Sequence, residues 1–412
     1  MPEAKAELKE QGGQATQAAK GYSPISPQLL ALCFGNFIIG TGTMIVPGML
    51  PSLAQGLGVS LPVAGQLITV FAVTIAVTAP FLSGLTSRFD RRALIVAVQL
   101  LFFAGHAAAA LVSTHGAMLV VRAFTSISAG LYVAQAAAIA ALLTPAEHRG
   151  RAMAFVFLGW SIAAVVGLPL GAYVGAAIGW RTGFALVAAG ALVSALWLWM
   201  ALPAGLRVKA IDGAMWRALF RHPAVLPTAG VTVFAASAQF VLFAYFVAAA
   251  QALVNASSLQ VSLLIVCYGV TGVAGNAVCG ALCDRFGAER VVMASLALML
   301  LAQAIWPLSQ GGLIFMGLAL AVMGSGAFSS NSAQQVRLAG LSPALAPVSI
   351  AFNSSAIYIG QALGTSAAGL ILAQVAGVEG YVQLAWGGAA FLVIGMALSW
   401  FASRRALIVA PA

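Results

Sequence analysis

The chain has 412 residues, of which 62% are hydrophobic and 7% are charged, and its formal net charge is +10. Soluble globular domains contain about 25% charged residues, so this composition excludes water as the main solvent of the fold. The basic excess does not indicate a nucleic-acid-binding protein. That function needs a basic patch on a folded soluble surface, whereas these Lys and Arg residues lie in short segments between apolar runs.

Residues 1–26 are polar and predict a disordered tail. The apolar run that follows is too long for the core of a signal peptide, so we expect it to remain as the first membrane span. Unpaired backbone groups are costly in hydrocarbon, and apolar runs of about 20 residues therefore predict spanning helices. Twelve are predicted, at 28–51, 61–83, 93–112, 117–141, 152–175, 182–203, 225–250, 260–283, 291–309, 313–334, 347–373 and 382–402.

The basic residues predict the orientation, because Lys and Arg in short loops are retained on the cytoplasmic side. Of the 19 Lys and Arg residues, all but Arg122 and Arg181 fall at the two ends of the chain or in even-numbered turns. Arg181 lies in a loop on the other side, and Arg122 lies within the fourth span. We therefore expect a multi-pass protein of the inner (plasma) membrane with both termini in the cytoplasm.

The spans fall into two groups of six. We expect bundles at 27–203 and 225–402, a cytoplasmic linker at 204–224, and cytoplasmic tails at 1–26 and 403–412. A short repeat supports this division, since the basic turn at 87–92 after the second span recurs at 284–290 after the eighth. The predicted fold class is thus all-α integral membrane with two pseudo-symmetric six-helix bundles. One chain carries both bundles, so a monomer suffices.

The second basic turn resembles the signature of the major facilitator superfamily, Gly-x-Leu-x-Asp-Arg-x-Gly-Arg-Arg/Lys. It has the expected residues at Gly280, Leu282, Asp284, Arg285, Gly287 and Arg290. The first turn keeps Leu85, Arg88, Arg91 and Arg92 but has Ser83, Ser87 and Asp90 where the pattern has Gly, Asp and Gly. The resemblance implies the major facilitator fold, in which two halves alternate access to a midplane site.

The fourth and fifth spans extend the resemblance. Arg122 with Gly130 is similar to the fourth-helix motif of the family, and residues 148–152 are similar to the turn after it. Residues 167–171, Gly-Leu-Pro-Leu-Gly, are similar to the antiporter motif of the bacterial arabinose-efflux-like, drug:proton antiporter group. This similarity implies export of a small organic solute. An uncoupled facilitator or an importer of a small metabolite is the alternative.

No carboxylate lies inside a predicted span. The nine acids are Glu3, Glu7, Glu10, Asp90, Glu147, Asp212, Asp284, Glu289 and Glu379. Related proton antiporters often carry an acid two residues after a Gly-Thr in the first helix, and Thr43 occupies that position here. If protons are the coupling ion, another group or the substrate must carry them. A pathway without a carboxylate favours neutral or weakly anionic substrates.

Arg122 and His106 are the ionisable residues predicted inside the spans, and such residues are functional candidates by default. The resemblance implies a coupling or substrate role for Arg122. The alternative is that its long side chain reaches back to the headgroups. His106 has a side chain that titrates near neutral pH, and its alternative is a hydrogen-bonded packing residue.

Neutral polar residues inside the spans are further candidates for lining a substrate pathway. These are Asn36, Thr43, Gln239, Tyr245, Asn331, Ser354, Tyr358 and Gln361. Asn36 and Thr43 are seven residues apart, which places them on one helix face. The alternative for each is a hydrogen bond between helices, which contributes about 0.6 kcal/mol in a membrane.

Two features predict conformational gating. Gly167, Gly171 and Gly175 recur every four residues, so a neighbouring helix can approach closely, and Pro169 favours a bend. The charged residues Arg88, Asp90, Arg91, Asp284 and Arg285 lie at helix ends on the cytoplasmic side. They are predicted to latch the two halves together in one state, with solvated loop charges as the alternative.

Other classes of function lack the residues they need. An enzyme would require clustered acids, bases or nucleophiles inside the spans, and a receptor would require an additional soluble domain. No Gly-Lys-Ser/Thr phosphate loop is present. Cys279 and Cys283 have helical spacing without further ligands nearby, which favours packing over a metal site. We predict no enzymatic activity, metal or cofactor.

Overall fold

The computed structural model describes residues 26–86, 89–145, 148–206, 213–342 and 345–409. Within these ranges the chain is helical and contains no β-strand. Twelve helices among the described residues are long and apolar enough to cross a membrane. The predicted all-α membrane fold is therefore confirmed, and we number the spans one to twelve in chain order.

The helices of the first half are Pro27–Gly48 with Leu50–Leu57 (span 1), Leu61–Leu85 (span 2), Arg91–Leu111 (span 3), His115–Leu142 (span 4), Arg149–Ile162 with Leu168–Ala177 (span 5) and Trp180–Ala201 (span 6). Those of the second half are Val225–Phe243 with Phe246–Val254 (span 7), Ser258–Phe286 (span 8), Ala288–Ile305 with the 3-10 turn Trp306–Gly311 (span 9), Leu313–Leu341 (span 10), Ala346–Gln374 (span 11) and Val378–Val409 (span 12). The helix Gly213–Arg221 lies in the linker.

Several helices extend beyond their predicted limits. Span 8 includes Asp284 and Arg285, and span 10 includes Arg337, which was expected in a loop. Span 12 includes residues 403–409, which were expected in a tail. Helical hydrogen bonds continue past the hydrocarbon core, since water and headgroups solvate the charged side chains there. Apolar runs alone therefore underestimate the helices.

The twelve spans alternate in direction and so define two faces. The face that carries residues 26, 91, 149, 221, 285 and 404 is rich in arginine, and we call it the basic face. The other face, at residues 57–61, 111–115, 177–180, 254–258, 311–313 and 374–378, we call the opposite face. The linker helix lies at the basic face and packs on the second half, where Leu219 contacts Val225, Leu338 and Val348.

Span 5 changes helical form at its centre. Residues Ala163–Gly167 form a π-helical turn that ends two residues before Pro169. Proline has no N–H to donate and its ring crowds the preceding turn, so a widened turn accommodates it inside a helix. The predicted bend position therefore coincides with a local break in regular α-helical hydrogen bonding.

The glycines of span 5 pack against span 1. A Cβ atom at Gly167 would lie 2.8 Å from the Thr41 hydroxyl, and one at Gly171 would lie 2.7 Å from the Ile45 side chain. Gly159 faces the Cys33 carbonyl even more closely. The close approach predicted for this glycine face is thus present, and its partner is span 1 of the same half.

We expect Gly159→Ala to destabilise the protein and Gly150→Ala to leave it unchanged or stabilised. A Cβ at Gly159 would meet backbone atoms of span 1, which cannot rotate away, and such overpacking costs about 1–3 kcal/mol. Gly150, in the same helix, has nothing within 4 Å of its Cβ position, and Ala exceeds Gly in helix propensity by about 1 kcal/mol. Thermal unfolding of the detergent-solubilised variants measures the difference, and equal melting temperatures would contradict the packing argument.

Candidate functional site: the pathway between the halves

The two halves meet near the opposite face. The Ser262 hydroxyl of span 8 donates a hydrogen bond to the Pro169 carbonyl of span 5, at 3.2 Å. The hydroxyls of Thr69 in span 2 and Ser366 in span 11 lie 3.3 Å apart. Both contacts join the first half to the second. The pathway between the halves is closed on this side.

Tyr245 contributes to the same closure. It occupies the break between the two helices of span 7, and only 1% of its surface is exposed. Its hydroxyl packs against Gly65 of span 2 and Gly369 of span 11. The sequence predicts Tyr245 as a substrate residue. In the structure it lies where spans 2 and 11 meet, which is a position suited to gating.

Spans 5 and 8 separate toward the basic face. In span 8, Ser262, Gly269 and Asn276 are seven residues apart and share one helix face. Ser262 and Gly269 contact Pro169 and Val165 of span 5, whereas Asn276 is exposed. From residue 273 to 286 most of span 8 is exposed, and so is much of span 5 from residue 149 to 158. Along this face of span 8, contact with span 5 therefore ends between Gly269 and Asn276.

Arg122 is buried in the first half with 1% of its surface exposed. It lies seven residues from the start of span 4, about 10 Å from the opposite face at 1.5 Å per residue. Its guanidinium lies 4.1 Å from the centre of the Phe71 ring and donates a 3.4 Å hydrogen bond to the Gly42 carbonyl. The side chain thus points into the bundle, where it joins spans 1, 2 and 4.

His106 belongs to the same cluster. Its Nδ1 lies 3.0 Å from the Phe102 carbonyl, and its ring centre lies 4.1 Å from that of Phe102. A Cβ at Gly42 would lie 2.7 Å from His106 Nε2, so Gly42 contacts both His106 and Arg122. The two ionisable residues, sixteen positions apart in sequence, meet at one glycine of span 1.

Asn36 and Thr43 form hydrogen bonds within the first half. The Asn36 amide donates to the Val156 carbonyl of span 5 at 3.0 Å, and the Thr43 hydroxyl donates to the Ile39 carbonyl of its own helix at 2.8 Å. Both side chains are buried. Asn36 thus has the hydrogen bond between helices that was the alternative to lining the pathway, whereas the Thr43 bond stays within span 1.

The second half contains an aromatic and amide cluster. The Gln239 amide donates to the Tyr268 hydroxyl at 2.6 Å, and the Tyr268 ring lies 4.7 Å from that of Phe243 and 5.9 Å from that of Phe328. Gln239 remains half-buried. This cluster lies next to Gly269, at the contact with span 5.

Asn331 belongs to a second polar network, nearer the basic face. Its Oδ1 accepts hydrogen bonds from Gln335 and Asn353, and the Asn353 Oδ1 accepts one from Thr232 at 2.7 Å. Gln334 also donates to Thr232, at 3.2 Å. The network joins spans 7, 10 and 11. On span 11 Gln361 is buried, Tyr358 is half-buried and Ser354 is exposed, so the predicted face is only partly accessible.

The charged residues predicted to latch the halves have separate surroundings. Arg88 lies outside the described residues. The Asp90 carboxylate accepts a hydrogen bond from the Ala93 N–H and caps span 3, while Arg91 donates to Gln135 of span 4 at 2.6 Å. Asp284 and Arg285 are exposed, and among the described residues neither forms an ion pair with the first half. The latch remains a prediction.

The spans contain residues that the sequence pattern left unassigned. Asn276 accepts a hydrogen bond from the Ser332 hydroxyl of span 10, and Arg337 forms a 3.8 Å ion pair with Glu289. A single Asn inside a span, seven residues after Gly269, is a signal that could have identified Asn276. Cys279 and Cys283 are buried with their sulfurs 3.8 Å apart, and the described residues contain no group of three metal-ligating side chains.

Comparison with known proteins supports the same architecture. The chain is 29% identical over 381 residues to the inner membrane transport protein YdhP of Escherichia coli (strain K12), covering 92% of this chain and 97% of that one. It is 26% identical over 375 residues to the MFS-type transporter YbcL of Bacillus subtilis (strain 168), covering 90% and 94%. These relatives support a multi-pass inner membrane transport protein.

Solved structures share the fold. A bacterial homologue of the human lysosomal transporter Spinster, in an inward-facing and unoccupied conformation, has a TM-score of 0.75 at 17% identity, covering 93% of this chain and 98% of that one. The D-xylose-proton symporter has a TM-score of 0.74 at 18% identity, covering 91% and 97%. Residues 32–254 match the family profile described as Major Facilitator Superfamily. The chain belongs to the Major Facilitator Superfamily, a family of membrane carriers rather than enzymes.

Proposed function

We propose that this transporter exports a small organic solute, neutral or weakly anionic, by alternating access. The observation that supports alternating access is the difference between the two ends of the pathway, and the support for export is the antiporter-like sequence Gly-Leu-Pro-Leu-Gly at 167–171. Thr69, Ser366 and Tyr245 close it at the opposite face, while spans 5 and 8 diverge toward the basic face. Rocking the halves so that the Thr69–Ser366 and Ser262–Pro169 contacts separate would exchange the two openings.

The basic face is proposed to be cytoplasmic, since Lys and Arg are retained there. In this orientation the open pathway receives its solute from the cytoplasm. A membrane-impermeant thiol reagent applied to intact cells should label a Ser257→Cys variant and not a Pro203→Cys variant, in a background without the native cysteines. Labelling of the second variant alone would reverse the orientation.

Coupling to protons is proposed to run through Arg122 and His106. No carboxylate lies in the interior of the described spans, and these two residues provide the ionisable groups that contact span 1. The antiporter-like sequence of span 5 supports exchange of solute against protons. The alternative is an uncoupled facilitator or importer, favoured by the absence of an acid at Thr43.

Untargeted mass spectrometry of medium and cytosol tests the proposal. Cells that express the chain are compared with cells that do not, each with and without a protonophore. We expect particular compounds to accumulate outside only with the chain, and to cease doing so with the protonophore. If the same compounds equilibrate regardless of the protonophore, the uncoupled alternative is correct. Accumulation inside the cells would establish import.

A further inference from the structure

Spans 1 and 4 differ from spans 8 and 10 in the polar groups that they leave accessible. In spans 1 and 4, between residues 30 and 46 and between residues 120 and 140, every Asn, Gln, Ser, Thr, Tyr and Arg side chain is buried. In spans 8 and 10, by contrast, several polar side chains are half-buried or exposed. These are Ser262, Thr271, Asn276, Ser325, Asn331, Ser332 and Gln335.

Contacts of span 10 show which of its residues face the pathway. Phe328 contacts span 8 and Gln334 contacts span 7. On a helix with 3.6 residues per turn, Asn331 and Gln335 fall between these two directions. Asn276 of span 8 continues the helix face on which Ser262 and Gly269 contact span 5, and it also accepts a hydrogen bond from Ser332 of span 10. We call Asn276, Asn331 and Gln335 the polar wall.

Span 4 is the counterpart of span 10 in the first half, since each is the fourth span of its group of six. Tyr132 contacts span 1 through the Leu32 carbonyl, and Gly130 contacts Ile75 of span 2. Val133 and Ala137 fall between these two directions and are half-buried. We call Gly130, Val133 and Ala137 the apolar wall, and no polar side chain interrupts it.

The two walls lie at the same depth. Asn276 and Asn331 are ten residues from the ends of their helices at the basic face, and Val133 is nine residues from its own. At 1.5 Å per residue this is about 15 Å from helix ends that extend past the hydrocarbon core, so both walls lie between the basic face and the middle of the spans. Substrate sites of transporters built from repeated bundles lie near the midplane, which these walls approach from the basic face.

The polar wall contains no ionised group but keeps unused hydrogen-bonding capacity. Asn276 accepts from Ser332 through its oxygen, which leaves its amide N–H groups available. Gln335 donates to Asn331, which leaves the Gln335 oxygen as an acceptor and the Asn331 N–H groups as donors. The buried Asn353 fixes Asn331 from behind.

We propose that the second half binds the solute through Asn276, Asn331 and Gln335, and that this solute is a neutral molecule with hydroxyl or amide groups on one side and an apolar surface on the other. Its polar side satisfies the three carboxamides, and its apolar side lies against span 4. A charged solute would lose its hydration without meeting an opposite charge. The assignment rests on the proposed transport function and specifies its substrate class.

Export profiles of variants test the assignment, with the compounds of the cell itself as probes. The Asn276→Leu, Gln335→Leu double variant removes two amides, and Gln374→Leu makes the same change at an exposed end of span 11. We expect export of neutral, hydroxyl- or amide-bearing compounds to fall about three- to tenfold in the double variant, as for lost membrane hydrogen bonds. The Gln374 variant should export normally.

The Asn276→Asp variant keeps the size of the side chain and adds a negative charge. We expect its export profile to gain cationic compounds, whether or not the double variant is stably produced. The assignment would be overturned if the compounds exported by the intact chain were charged, or if neither Asn276 variant changed the export profile. Either result would leave the proposed transport function intact. Absence of any exported compound would instead defeat the proposed function, and this assignment with it.

Discussion

A disulfide between cysteines introduced by Thr69→Cys and Ser366→Cys should reduce transport to background. The two hydroxyls are 3.3 Å apart across the halves, and the side chains are partly exposed, so an oxidant can reach them. A disulfide needs sulfur atoms about 2.05 Å apart and Cβ atoms about 3.8 Å apart. The bond therefore forms when thermal motion of spans 2 and 11 brings the two positions slightly closer than the 3.3 Å between the hydroxyls. Spans 2 and 11 could then no longer separate, and the opposite face would stay closed.

The experiment uses a background without Cys33, Cys267, Cys279 and Cys283, because the oxidant would also act on them. Export of the compounds found by mass spectrometry is measured before oxidation, after oxidation and after reduction. Reduction should restore it. The two single-cysteine variants should be insensitive to the oxidant. Full transport by the cross-linked protein would show that this face does not need to open, which contradicts alternating access.

Much of the fold follows from patterns along single helices. Apolar runs predicted the twelve spans, and the four-residue glycine period predicted a close helix approach in span 5. The pattern did not identify span 1 as the partner, because the complementary residues Thr41 and Ile45 carry no signal of their own. The π-helical turn before Pro169 was equally hidden, since proline predicts a bend but not how the backbone accommodates it.

The site was harder to predict, since it depends on contacts between distant segments. His106 and Arg122 lie in different spans, and only the packing of span 1 brings them to Gly42. Asn36 was a plausible pathway residue from its helix face, but the Val156 carbonyl takes its amide. Whether a polar residue faces a neighbouring helix or a pathway depends on where that helix packs. The periodicity of a single helix does not contain this information.

Arg122→Met should reduce energised transport by about tenfold or more while the protein is still produced. Methionine fills a similar volume, so the change mainly removes the charge, the hydrogen bond to Gly42 and the contact with the Phe71 ring. A desolvated cation–π contact contributes about 2 kcal/mol, and each 1.4 kcal/mol corresponds to a tenfold change. Arg122→Lys keeps the charge and should retain part of the activity.

Arg181→Met provides the matched control. Arg181 also lies toward the opposite face and stacks on an aromatic ring, at 4.1 Å from the centre of Trp180, but its side chain is exposed. Export and its sensitivity to a protonophore should be unchanged in this variant. If Arg122→Met exports as well as Arg181→Met, then Arg122 serves packing and carries no part in coupling. If it exports weakly and has lost its response to the protonophore, the buried charge is what links solute movement to protons, because packing alone would not change that response.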